Sequence, residues 1–175
     1  MHDPKKADRF EAIVLPQIGA AYNLARWLTR NDHDAEDVVQ EAYLRAFRFF
    51  DGFRGGDVRA WLLTIVRNTY YTWLSNNRLR DVSSPLDDEE WGLESEAPDP
   101  ELNAIRSSER HRLEQAIEEL PAEFREVLIL RELEEMSYKE ISDITDIPLG
   151  TVMSRLARAR KRLQQCLANV LGREA

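Results

Sequence analysis

The chain has 175 residues, with 24 lysines and arginines against 32 aspartates and glutamates, a formal net charge of −8. That length suits one medium domain or two small ones, and the single cysteine, Cys166, excludes a disulfide framework and a thiolate metal cluster. No apolar run approaches the ~20 residues that cross a bilayer, and the opening residues MHDPKKADRFEAIVLPQ lack the apolar stretch of a signal peptide. A soluble, cytoplasmic chain without membrane insertion is the expectation.

Apolar residues from Phe10 through Ile13, Val14 and Ile18 to Tyr22, Ala25 and Leu28 recur at threes and fours, the stripe of an amphipathic helix. Pro16 and Gly19 predict a break within it. Asn31-Asp32-His33-Asp34 reads as a turn and N-cap cluster, and Val38, Val39, Ala42, Ala46 and Phe49 carry a second helix. The glycines of Asp51–Asp57 predict a loop. A third helix is expected from about Val58 to Leu79, with Trp61, Leu62, Ile65, Val66, Thr69, Tyr70 and Trp73 on one broad face.

Charge is distributed unevenly along the chain. Residues 1–80 hold 12 basic and 10 acidic residues, 81–105 hold 9 acids and no base, and 106–175 hold 12 bases and 13 acids. The middle segment, with Pro85, Pro98 and Pro100, reads as an acidic flexible linker. The stretch 147–173 carries six basic residues and no acid, a local basic patch that the net charge conceals. The expected fold class is therefore all-α. It comprises an N-terminal domain over 1–80, a linker over 81–105 and a C-terminal domain over 106–175 with a helix-turn-helix.

In that last segment Leu113, Ile117 and Leu120 end at Pro121, which opens a helix carrying Val127, Leu128, Leu130 and Leu133. Ser137 with Glu140 three residues on forms a capping box for a short helix containing Ile141 and Ile144. Pro148-Leu149-Gly150-Thr151 is read as a turn before a final helix, Val152 to about Leu171. Two short helices across a tight turn, the second rich in arginine, are a helix-turn-helix signature. The first would cross the phosphate backbone, with Tyr138 and Lys139 at its start. Val152, Leu156 and Leu163 would dock the second, leaving Thr151, Met153, Ser154, Ala157 and Arg158 to enter a major groove. Arg155, Arg160, Lys161 and Arg162 widen the positive field.

The string LPAEFREVLILRELEEMSYKEISDITDIPLGTVMSRLARARKRL resembles the C-terminal promoter-binding domain of the bacterial sigma-70 superfamily, in its two-domain extracytoplasmic-function (ECF) subgroup. The N-terminal strings DAEDVVQEAYLRAF and FRGGDVRAWLLTIVRNTYYTWL resemble that family's core-polymerase-binding helix and melting region. The resemblance implies a sigma factor that binds core RNA polymerase and directs promoter-specific initiation. Asp34 and Glu36 also suit a helix N-terminus, but Asp37, Gln40 and Glu41 extend the polar patch further than a dipole requires. In similar proteins such a patch docks an arginine-rich coiled coil of the polymerase's largest subunit. Carboxylates facing guanidinium groups give bidentate, charge-assisted bonds suited to that task.

For melting, the resemblance implies a flipped-base pocket at Phe53, Arg54 and Gly55 and near Asn68, whose amide both donates and accepts. Tyr70, Tyr71 and Trp73 are expected to offer stacking surfaces, since one helix cannot bury all three, whereas Phe47, Trp61 and Ile65 are expected in the core. The chain departs from many relatives by having Tyr70-Tyr71-Thr72-Trp73 where they carry basic residues, flanked only by Arg67, Arg78 and Arg80. Which residues hold the displaced strand is therefore open.

His2, His33 and His111 lack metal-ligand spacing, and no glycine-rich phosphate loop follows a strand, so neither catalysis, a metal nor a cofactor is expected. Cys166 is expected on the apolar helical face near Leu163 and Leu167. Only Gly172–Ala175 follow the last apolar turn, which favours control by a separate anti-sigma factor over a built-in domain. The alternatives are a sigma mimic that sequesters such a factor and a one-component helix-turn-helix regulator. The acids of the linker are expected either to tether or to thread a basic polymerase channel.

Overall fold

The computed structural model describes residues 4–81 and 102–172, and it is helical, with no strand among the described residues. Helix α1 (Pro4–Val14) ends in a 3-10 turn, Leu15–Gln17, with Pro16 at its start, and α2 (Ile18–Thr29) follows. The break falls where Pro16 predicts it, because proline has no N–H to continue the ladder. Arg30 closes α2 in the left-handed region (φ 60°). The Asn31 side chain then accepts from the Asp34 N–H at 3.0 Å to open α3 (Asp32–Phe49). Beyond a 3-10 turn, Phe50–Gly52, the loop passes through Gly55 (φ 88°) and Gly56 (φ 98°), conformations that favour glycine. Asp57 accepts from the Ala60 N–H at 3.2 Å as α4 (Val58–Asp81) begins.

After the undescribed stretch come α5 (Leu102–Glu118), α6 (Ala122–Glu132), α7 (Tyr138–Thr145) and α8 (Leu149–Gly172). The predicted linker is thus shortened at both ends: Asp81 is still helical, and α5 starts at Leu102. The acids between, including Asp87–Glu90, lie outside the described residues. A second correction concerns the helix-turn-helix. Its last helix begins at Leu149 rather than Val152, because Asp146 (φ 55°) makes the left-handed turn and Pro148 accepts from the Thr151 and Val152 N–H groups. Proline needs no N–H partner there.

In the first half, α2, α3 and α4 pack around Leu24, Leu28, Val38, Ala42, Leu62, Leu63 and Val66, all essentially without solvent exposure. Phe10 fits edge-on among Tyr43, Phe47 and Phe50, with ring centroids 4.9, 5.2 and 5.4 Å away. In the second half, Val127, Leu130, Met136, Ile141, Val152, Leu156 and Ala159 form the centre. The two halves do not stand apart. Helix α2 packs on α6 and α4 on α7, so both sets of buried residues belong to one continuous cluster.

Candidate nucleic-acid and polymerase-binding surfaces

The capping box holds the start of α7: the Glu140 N–H donates to Ser137 Oγ, and the Ser137 N–H donates to Glu140 Oε1, both at 3.1 Å. Ser142 Oγ donates to the Ile147 carbonyl across the turn, fixing the angle at which α8 leaves. Val152, Leu156 and Ala159 are buried under α8, and Leu163 and Cys166 are half-buried. The opposite face presents Met153, Ser154, Ala157, Arg158 and Lys161, all exposed, with Thr151 half-exposed. Lys139 is exposed and Tyr138 half-buried at the start of α7, where the Arg131 guanidinium lies 4.6 Å from the Tyr138 ring centroid. Two α8 arginines are held by acids of α6: Arg155 lies 3.5 Å from Glu123, and Arg160 lies 2.8 Å from Glu132.

On the other half, Glu36, Asp37, Gln40 and Glu41 are exposed along α3, and Asp34 is half-exposed. Arg45 pairs with Glu41 at 3.2 Å, and His33 lies 3.9 Å from Asp37. Asp34, Asp37 and Glu41 share a surface groove with Thr69, Trp73, Asn76 and Asn77. Trp73 therefore faces the acidic side of the domain.

The melting residues are dispersed more widely than expected. Arg54, Gly55 and Asn68 are exposed. Phe53 is half-buried, stacked on Phe50 and 5.0 Å from Trp61. Tyr70 is only 4% exposed, so its ring offers no face to a base. The Tyr70 ring meets Tyr71 edge-on, with centroids 5.0 Å apart, and stacks with Trp73 at 6.3 Å, so the three rings pack on one another around a buried centre. Tyr70 is a core residue of this arrangement, and Tyr71 is turned into the contact between halves.

That contact is charged. Glu126 of α6, with no exposed surface, receives Arg67 Nε at 3.0 Å, Arg67 Nη2 at 3.3 Å and the Tyr71 hydroxyl at 3.1 Å. Burial pushes the Glu126 carboxyl above the ordinary range, and Arg67 and Tyr71 pull it only part of the way back. Burial together with the same carboxylate raises the Tyr71 phenol, which stays protonated and donates. Glu134 accepts from Asn23 at 3.1 Å and lies 3.7 Å from Arg59. Arg125 joins helix ends, donating to the Leu120 carbonyl at 2.6 Å and to the Leu28 carbonyl at 3.2 Å. Its Nε finds no acceptor among the described residues, and burial lowers its pKa. Sequence reasoning missed Arg59, Arg125, Glu126 and Glu134. The available signal was a charged pair, Arg125-Glu126, set between Phe124 and the apolar run Val127–Leu130.

Among the described residues no group of three or more His, Cys, Asp or Glu is placed to hold a metal ion, and no helix is long and apolar enough to cross a membrane.

Residues 17–80 match the family described as Sigma-70 region 2, and residues 110–163 match Sigma-70, region 4. The chain is 39% identical over 137 residues to the ECF RNA polymerase sigma-E factor of Escherichia coli (strain K12), covering 74% of this chain and 72% of that one. It is 34% identical over 160 residues to the ECF RNA polymerase sigma factor SigE of Mycolicibacterium smegmatis, covering 91% of this chain and 62% of that relative's length. The chain belongs to the ECF family of sigma-70 RNA polymerase sigma factors. Among solved structures it is similar to the sigma factor RpoE in complex with the anti-sigma factor NepR from Bartonella quintana. That match has 29% identity and a TM-score of 0.75 over 91% of this chain and 97% of the other. CnrH in complex with the cytosolic domain of CnrY shares the fold, at 24% identity and a TM-score of 0.64 over 91% and 88% of the two chains.

Proposed function

We propose that this chain binds core RNA polymerase and directs promoter-specific transcription initiation. The observation that carries this reading is the capped helix-turn-helix, whose second helix exposes Met153, Ser154, Arg158 and Lys161 on the face away from its core. That face would read the upstream promoter element, with Thr151, Met153, Ser154 and Arg158 toward base edges, and with Tyr138, Lys139, Arg155 and Lys161 toward phosphates. Asp34, Glu36, Asp37, Gln40 and Glu41 would dock the polymerase, a reading supported by the exposure of Glu36, Asp37, Gln40 and Glu41 along one helix. The Phe53–Gly56 loop and Asn68 would hold a flipped base. An anti-sigma factor is the expected regulator, a reading supported by the likeness over nearly the whole chain to RpoE in its NepR complex.

Promoter-dependent run-off transcription with core polymerase tests the reading. Reversal of Asp37 or Glu41 to Arg should abolish capture of core enzyme while promoter-fragment binding survives. Normal core binding by both reversed variants would remove the docking assignment. Absence of any promoter-dependent transcript and of promoter-fragment binding by the parent chain would instead support the sigma mimic that sequesters an anti-sigma factor.

A further inference from the structure

One edge of α4 carries Arg59, Arg67 and Tyr71, which lie within about 120° of the helix circumference and span about 18 Å of its axis. In the closed chain every one of them meets a carboxylate from the other half: Arg67 and Tyr71 meet Glu126, and Arg59 meets Glu134. The fork of Arg67 onto two carboxylate oxygens is the geometry by which arginine also takes a phosphate. Tyr71 adds a hydroxyl donor to the same oxygen, and the Arg67 guanidinium lies 4.6 Å from the Tyr71 ring centroid. Glu126 thus offers Arg67 and Tyr71 a negative charge and two acceptor oxygens, as a phosphate would.

A permanent interface gains little from such chemistry, because well-packed apolar side chains commonly equal or exceed a buried ion pair. Held without solvent exposure, the Glu126 carboxylate is stable only while its donors stay on it. The site it fills remains fitted to another anion. Asn68, proposed above to hold a flipped base, is the exposed residue beside Arg67. The docking acids Asp37 and Glu41 stay exposed on α3, so closure leaves that surface accessible.

We propose that Arg59, Arg67 and Tyr71 form a holding edge for single-stranded DNA, and that Glu126 and Glu134 occupy this edge as phosphate surrogates until the two halves part. This rests on the sigma-factor reading above. It assigns the displaced strand to two arginines that precede the stretch where many relatives carry basic residues, and to Tyr71 within that stretch.

The test uses the full chain and a fluorescein-labelled oligothymidylate, read by anisotropy, with small-angle scattering to report separation of the halves. The Glu126→Ala/Glu134→Ala variant should expand and bind the oligonucleotide about tenfold more tightly, within the usual range of coupling between sites. Adding Arg67→Ala should remove most of that gain. A control, Glu109→Ala/Glu119→Ala, changes net charge equally at two exposed acids, one on α5 and one just beyond its end, and should leave affinity unchanged. An expanded variant that binds no better than the parent overturns the proposal. So does a gain that Arg67→Ala leaves intact or that the control reproduces, and so does a folded variant that neither expands nor binds. If the double variant fails to fold, Glu134→Ala alone frees Arg59 at the margin and should give a smaller gain that Arg59→Ala reverses; no gain there overturns the edge equally. Run-off transcription by the parent chain is scored separately. A chain that transcribes but shows no gain loses only this proposal, whereas a chain that shows the gain but never transcribes loses the sigma-factor reading.

Discussion

The interior of the first half and the Glu126 carboxylate at the contact between halves are both out of solvent, yet they are held by different materials. Leu63 and Val66 bury only hydrocarbon, and their packing needs no particular partner atom. Around Glu126 order depends on three donors reaching one carboxylate. Apolar burial is non-directional and is lost only with the fold. A buried ion pair is specific, costly to leave unpaired and close to neutral against an apolar substitute. The same helix, α4, contributes to both: Leu62, Leu63 and Val66 enter the apolar interior, while the longer side chains of Arg59, Arg67 and Tyr71 reach carboxylates of the other half. The difference separates what must hold the domain together from what can let go.

The largest expected effect breaks the apolar side. Leu63→Ala should cost about 2–5 kcal/mol, the range for a fully buried leucine whose cavity collapses only partly. Urea unfolding followed by circular dichroism would show the midpoint falling. The contrasting variant is Arg67→Met/Glu126→Met, which keeps volume at the contact and removes both charges. Its midpoint should stay level or rise. A loss as large as that of Leu63→Ala would erase the distinction between the two regions.

Legibility in the sequence followed the same division. Local signals were sufficient for the break at Pro16, the cap at Asn31 and the capping box at Ser137, since each depends on residues within one turn. The start of α8 was misjudged because Pro148-Leu149-Gly150 has turn composition, while the turn itself is made one step earlier by Asp146 in the left-handed region. The exposed faces of α3 and α8 were legible because amphipathic spacing shows which side is left over. The contact between halves was not. Helix α6 is buried continuously from Phe124 to Leu130, and no periodicity reveals which distant helix covers a charged pair. The expectation that Tyr70 and Tyr71 offer stacking surfaces fails for that reason: the sequence does not show that the second half covers this part of α4.

Next in size is a contact that no core supplies. Arg158 is exposed on α8, and no internal carboxylate holds it among the described residues. Arg158→Ala should cost about 1–3 kcal/mol of discrimination at one position of the upstream element and leave the unfolding midpoint in place. Binding measured across single-base promoter variants would decide. A uniform loss at every sequence would make Arg158 a phosphate contact, and a fall in stability would place it with the structural residues.

The smallest effect concerns Arg155, which joins the two kinds of behaviour on one residue. Its guanidinium lies 3.5 Å from Glu123, an exposed acid of α6, and is itself only partly exposed. A pair of that kind is worth about 0–1 kcal/mol, so the Glu123 carboxylate barely stabilises the fold and is easily exchanged. Toward DNA it acts in two opposing ways: it aims the Arg155 side chain, and it repels phosphates while competing for the same donors. Glu123→Gln keeps the shape and a hydrogen-bond acceptor but removes the charge. If exchange dominates, affinity for a promoter fragment rises by no more than about fivefold, equivalent to about 1 kcal/mol. The salt dependence then steepens by up to about one phosphate contact, because Arg155 becomes a full counterion-releasing charge. If aiming dominates, affinity falls although the net charge has become more favourable. The sign of that small change, measured at two salt concentrations, distinguishes an acid that positions the recognition helix from one that the DNA must displace.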